Sequence, residues 1–276
     1  MSVPTGAAEH LDAGGRRRVR IPPVLMYHSV SPSTEPDPHR VRVSPELLDR
    51  HLRLLGRLGL RGTSLGGLLA AQQRGAASGL VGLTFDDGYA DFAEHALPVL
   101  ARHRASATLY VVAGLVGGRN SWDEGPRLDL LDADGVRAVA AAGHEVGSHT
   151  LTHADLRGLD AATLAHEVGG SRAVLQDVLQ ADVPGFCYPW GRFDAAAADA
   201  VRAAGYDHAC VTGDRLPGDR FTLPRAYVAP GDGPALLLAK LARHRWWMRG
   251  VDPAPARGER AEEPGPRRGR AGEGGR

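Results

Sequence analysis

Leu83-Thr84-Phe85-Asp86-Asp87-Gly88 is the stretch from which the fold can be read: an apolar run stops abruptly at two adjacent carboxylates and a glycine. A short apolar run bounded by turn residues fits a strand buried on both faces, and the sudden change of character marks its end. Neighbouring residues at a strand end point in different directions, so one Asp can ligate a cation while the other faces a bound water. Gly88 lets the backbone turn tightly between them and the next segment. Asp-Asp-Gly is also ordinary turn chemistry, so the reading depends on what lies around it.

Outward from this stretch the same pattern recurs. Residues 24–27, 81–85, 107–112, 145–148, 185–188, 208–211 and 223–228 read as about seven short strands. Helix signals lie between them. Ser44 can cap a helix with Pro45 at its first position, and Leu47, Leu48, His51, Leu52, Leu55 and Leu58 form one apolar stripe ending at Gly59. A similar run begins at Asp194 and stops at Gly205, and Gly143 closes another. Strands alternating with helices predict an α/β fold with a parallel sheet and helices outside it. In such a sheet, closed or open, ligands sit beyond the carboxyl ends of the strands. A polar cluster directly after an apolar run therefore carries more weight than one elsewhere.

The ends of the chain differ from its middle. Residues 251–276 are Pro, Gly, Arg and Glu with almost no large apolar side chain, and residues 1–19 read the same way, so both are expected to be disordered tails flanking one domain over 20–250. The 33 Lys+Arg against 32 Asp+Glu give a net charge of +1, which supplies no global field to recruit nucleic acid or an acidic membrane surface. Two cysteines, Cys187 and Cys210, exclude a disulfide framework and fit buried thiols better than a bridge. Neither a signal peptide nor a membrane-spanning run is found, which places the expectation in the cytoplasm, without membrane insertion.

Three further clusters pass the strand-end test. Ser148-His149-Thr150-Leu151-Thr152-His153 follows a short apolar run and sets two histidines four apart, which on a helical turn would share a face and a metal. The chain has 12 His, and chance alone would give about 0.5 such pairs, so position rather than spacing is what counts. Two imidazoles and a carboxylate form a set used by catalytic zinc and related ions, with coordination positions left for water and substrate. A cation of that kind lowers the pKa of bound water to about 7, and Asp86 is then suited to act as general base. Phe186-Cys187-Tyr188-Pro189-Trp190-Gly191-Arg192-Phe193-Asp194 ends a run in aromatic rings that could wall a sugar site or pack the sheet edge. Pro23-Val24-Leu25-Met26-Tyr27-His28-Ser29-Val30 puts His28 directly after the first run, where a histidine is either structural or a second acid–base group.

Taken together, these residues resemble the polysaccharide deacetylase family, the NodB homology or carbohydrate esterase 4 group, from about residue 24 to 228. Thr84-Phe85-Asp86-Asp87-Gly88 is similar to its first motif, and residues 148–153 to its second. The resemblance implies a distorted (β/α)7 barrel, Asp86 as base, and a divalent ion on Asp87, His149 and His153. That ion is expected to be zinc, with cobalt, nickel or manganese as alternatives. The third motif departs from the common form: Cys187 stands at its Arg position, and Tyr188-Pro189-Trp190-Gly191 resembles the branch containing poly-N-acetylglucosamine deacetylases. By that analogy the Trp190 N–H helps hold a tetrahedral oxyanion, Arg225 replaces the missing Arg as orienter of Asp86, and His28 supplies the acid. The usual late histidine is absent, no His occurring after Leu223 until His244. The implied activity is removal of N-acetyl groups from an N-acetylated glycan. The alternatives are a sugar-binding protein without catalysis and a hydrolase of another ester or amide on the same fold.

Overall fold

The computed structural model describes residues 22–213 and 219–247, with side chains up to residue 245. The expected tails, 1–19 and 251–276, lie outside the described residues. Ten strands are described: β1 (Val24–Tyr27), β2 (Ser29–Val30), β3 (Arg42–Val43), β4 (Arg61–Thr63), β5 (Leu80–Phe85), β6 (Thr108–Val111), β7 (Glu145–Ser148), β8 (Gly185–Cys187), β9 (His208–Thr212) and β10 (Leu223–Tyr227).

Seven of them close into a parallel barrel in the order β1-β10-β9-β8-β7-β6-β5, because β1 pairs with both β10 and β5. These are the seven expected strands, with ends shifted by a residue at most. The barrel is distorted at β5, which has three partners. Along one edge Gly82 and Thr84 pair with Val24 and Met26 of β1. Along the other, Gly82 pairs with Thr63 of β4 while Thr84 pairs with Thr108 of β6. The short β4 therefore wedges between β5 and β6 where those two diverge.

Burial on both faces explains the composition: all four residues of β1 and the last five of β5 are buried, as parallel strands between a packed interior and covering helices require. The helix Pro45–Arg57 starts as expected, the Ser44 hydroxyl accepting from Leu47 N–H at 3.1 Å. Its buried stripe is Leu47, Leu48, His51, Leu52 and Leu55. Leu58 does not belong to it: this residue is the C-cap, past the last helical turn, and is 49% exposed. Asp194 caps the helix Ala195–Ala203 through Ala197 N–H at 2.9 Å. The helices Leu65–Gln73, Leu97–Arg102, Ser171–Leu179 and Pro234–Trp247 also belong to the described residues without having been individually anticipated. No described helix is long and apolar enough to cross a membrane.

Candidate active site and metal centre

At the carboxyl ends of the barrel strands lies a cleft of about 420 Å³ whose lining includes Asp86, Asp87, His28, His149, His153 and Trp190. Six of the seven anticipated site residues thus meet in one place, and the seventh, Arg225, lies directly beneath.

Asp86 and Asp87 follow β5 and diverge as alternation demands. Asp87 turns toward the histidines with φ 76, followed by Gly88 at φ 75. His149 Nε2 and His153 Nε2 each lie 3.4 Å from Asp87 Oδ1, and the three residues are buried. The histidines do not share a helical turn, as their spacing suggested. Residues 149–153 form an irregular turn in which Thr150 (φ 68) and His153 (φ 64) adopt left-handed backbone, and the Thr150 hydroxyl accepts from His153 N–H at 2.9 Å. That kink, rather than helical periodicity, folds the second imidazole back onto the first.

The proton inventory decides what this trio can hold. His149 Nδ1 lies 2.8 Å from the Cys187 carbonyl; a carbonyl only accepts, so Nδ1 carries the proton and Nε2 of the neutral ring presents a lone pair. Asp87 Oδ1 is buried and has no hydrogen-bond partner. With the ring neutral, two lone pairs thus face each other, an arrangement that repels unless a proton or a cation lies between them. Tetrahedral bonds of roughly 2.0–2.2 Å place ligand atoms about 3.4 Å apart, which matches the two measured separations. A divalent cation fits here, and the Nδ1–H to carbonyl bond is the usual device for aiming a ligating imidazole. Asp86, His149 and Cys187 also converge, but the Arg225 guanidinium already occupies that side.

Arg225, fully buried on β10, donates to both oxygens of Asp86, at 2.6 Å to Oδ1 and 2.7 Å to Oδ2. It also donates to Val211 O at 3.2 Å, Thr84 Oγ1 at 2.9 Å and Cys187 Sγ at 3.0 Å. Burial pushes the Asp86 carboxyl up, but the charge and hydrogen bonds of Arg225 more than offset it, so its pKa falls below the usual carboxylate value. His28 Nε2 stands 4.0 Å from Asp86 Oδ2 at the cleft wall. His244, the first histidine after Leu223, is buried against Pro224 O at 2.8 Å and does not line the cleft.

The third motif divides its aromatics. Tyr188 is buried and packs on Phe186 and Phe193, whereas Trp190 is 44% exposed in the cleft with φ 59. Gly191 lets this turn press on β9: a Cβ there would lie 2.7 Å from Thr212 N. Sequence reasoning missed Trp122, which stacks on His153 at 4.4 Å while Trp190 meets the same ring edge-on at 4.8 Å. It also missed Tyr89, buried beside Asp87, whose hydroxyl is pushed far above its usual pKa by burial and by that carboxylate's charge. A large aromatic inside the Gly- and Asp-rich loop around Trp122 was the available signal. Cys187 and Cys210 are free, buried thiols opposite each other on β8 and β9.

Comparison with known proteins gives a consistent picture. The family model for polysaccharide deacetylase matches residues 73–209. The chain is 26% identical over 215 residues to the Bacillus subtilis protein YxkH, named as a polysaccharide deacetylase, covering 76% of this chain and 72% of that one. It is 32% identical over 126 residues to a chitooligosaccharide deacetylase of Sinorhizobium fredii, covering 45% of this chain and 53% of the relative. Among solved structures it resembles the Streptococcus pyogenes deacetylase PplD, with a TM-score of 0.66, 24% identity, and coverage of 80% and 97% of the two chains. IcaB from Ammonifex degensii gives the same TM-score, identity and coverage. At these identities the structural likenesses speak for the fold.

Proposed function

Because this chain belongs to the polysaccharide deacetylase family, we propose that it is a hydrolase removing the acetyl group from an N-acetylated sugar of a glycan, with a divalent cation on Asp87, His149 and His153. The observation that carries this reading is the buried, unpartnered Asp87 Oδ1 with two imidazole nitrogens at 3.4 Å, next to an aspartate held by a buried arginine. The donor set suits zinc, and also cobalt, nickel or manganese.

A divalent cation bound there supplies positive charge that polarises the acetyl carbonyl and acidifies water near neutral pH. Asp86, kept ionised by Arg225, takes the proton of the attacking water as its oxygen bonds to the carbonyl carbon. The Trp190 N–H donates to the oxygen that becomes negative; one such donor is worth about 3 kcal/mol of barrier elsewhere. His28 hands a proton to the nitrogen as the C–N bond breaks, leaving acetate and a free amine. Arg225 touches no reacting atom and is a positioning residue. The catalytic domain spans 20–250, and the partner is an N-acetylated glycan, a substrate class supported by the relatives' names.

Acetate release from N-acetylglucosamine oligomers by the zinc-loaded protein tests the reading, run beside O-acetyl esters and small formyl or cyclic amides, with glycan binding measured separately. Release from the N-acetylated oligomers is expected. Release from esters alone would reassign the bond, and binding without acetate from any substrate would make the chain a sugar-binding protein.

A further inference from the structure

Arg40 lines the cleft on a segment built to present it. Its backbone is left-handed, with φ 57, a conformation unfavourable for a residue with a side chain. Four contacts impose it. Arg40 N–H donates to Asp37 O at 3.1 Å, and Val41 and Arg42 N–H donate to the Asp37 carboxylate at 3.0 and 2.9 Å. The Tyr227 hydroxyl donates to Arg40 O. Backbone held this firmly in a sparsely populated region is a mark of functional sites. The side chain so presented is exposed, and no carboxylate among the described residues pairs with it.

The rest of the cleft does not neutralise it. Asp86 is matched by Arg225, Asp87 belongs to the cation site, and Asp123 faces His39 at 3.8 Å. Arg192 also lines the cleft, and the carboxylate it meets among the described residues, Asp155 at 3.4 Å, is already gripped by Arg157 at 2.6 and 2.9 Å. Among the described residues the outer cleft thus presents two guanidinium groups, Arg40 with no carboxylate paired to it and Arg192 with a shared one, in a chain whose net charge is only +1.

We propose that Arg40 is a specificity-determining residue that binds an anionic group, a carboxylate or a phosphate, carried by the glycan beside its reacting N-acetyl group. Arg192 adds attraction at the same rim. A guanidinium fork suits either anion in bidentate fashion. This inference rests on the deacetylase reading for its substrate, and on the charge balance of the cleft for its chemistry.

The test uses the full zinc-loaded chain and three matched N-acetylglucosamine oligomers: one neutral, one bearing a carboxylate and one bearing a phosphate. The kcat/KM ratio of an anionic over the neutral oligomer is expected to be about tenfold, the size of one charge-assisted hydrogen bond. It should fall toward one in Arg40→Gln, be partly kept in Arg40→Lys, and shrink with added salt. The arm that shows the preference identifies the anion. A wild-type ratio near one with both anions, or an undiminished ratio in a folded Arg40→Gln protein, overturns the proposal. Titration of tryptophan emission with the same oligomers reads binding even in a protein that releases no acetate. An Arg40-dependent anion preference there would uphold this assignment while removing the deacetylase reading, and equal binding of all three oligomers would refute it.

Discussion

Replacing Arg225 with Met removes the charge beneath Asp86 while keeping most of the side-chain volume, and its consequence can be sized from the structure. Asp86 and Arg225 are buried and joined by two short bonds, at 2.6 and 2.7 Å. Taking one partner from a buried pair typically costs about 3–5 kcal/mol. Without Arg225, burial acts unopposed on the Asp86 carboxyl and raises its pKa, which favours the protonated form. For a domain of this size about 4 kcal/mol lowers Tm by roughly 8–16 °C. The pH dependence has a definite sign. Burial raises the Asp86 pKa and Arg225 lowers it by more, so the folded value lies below the usual carboxylate range. The pair's contribution is therefore complete above the unfolded pKa of about 4 and is lost as pH falls through the depressed folded value. Thermal denaturation of wild type and Arg225→Met from pH 8 to pH 3 should show the gap narrowing toward the acid end. Activity at neutral pH should collapse in the variant, because a protonated Asp86 cannot accept a proton. A Tm within 1–2 °C of wild type, or a gap that does not change with pH, would refute the assignment of Arg225 as the charge that holds the base.

Asp87→Ala and His149→Ala should lose bound metal, by elemental analysis of dialysed protein, together with activity, whereas Asp86→Asn should retain metal and lose turnover; an Asp86→Asn protein with full activity would disprove the base. His28→Gln should lower kcat by about 10²–10⁴-fold with little change in metal content. Asp91 is pushed up to about 6 by burial, against the lowering hydrogen bonds from Ser29 and Val30. Its folded pKa exceeds its unfolded one, so ionising it destabilises the fold as pH rises from 5 to 7. Asp91→Asn should gain about 1 kcal/mol relative to wild type across that interval, which urea titrations at the two pH values can measure.

The strands that build the barrel were legible because each is a compact apolar run that ends in polar residues, as in residues 81–88. β4 was not, since Arg61-Gly62-Thr63 carries no apolar signal and forms only because Gly62 and Thr63 meet Val81 and Gly82 of β5. Leu58 followed the helical period in sequence but fell past the helix end, where periodicity no longer governs direction. Within the site, Asp86, Asp87 and His149 could be picked out as candidates because they come at strand ends, and His153 because it lies four residues beyond His149. The route by which His153 returns to His149 was misread, because a spacing of four suits a helix and also a left-handed kink. Arg225 carries its own signal in hindsight: a charge in the middle of a buried strand must find an opposite charge within the barrel. Tyr89, Trp122 and Arg40 come to the cleft from loops whose course depends on long-range contacts, such as Tyr227 to Arg40, and no local pattern encodes those.

Five residues of the cleft neighbourhood, Arg40, Asp87, Thr150, His153 and Trp190, have positive φ without being glycine. Each such residue forgoes on the order of 1 kcal/mol, so the chemistry of this barrel is sustained at the expense of its ruggedness. Glycine at position 150 would relax one of these turns and yield a hardier protein, yet it would remove the hydroxyl that pins the backbone of His153. Selection for heat resistance alone would therefore tend to drift this site toward sturdier, idle variants, and an engineer seeking durability should look to the outer helices first.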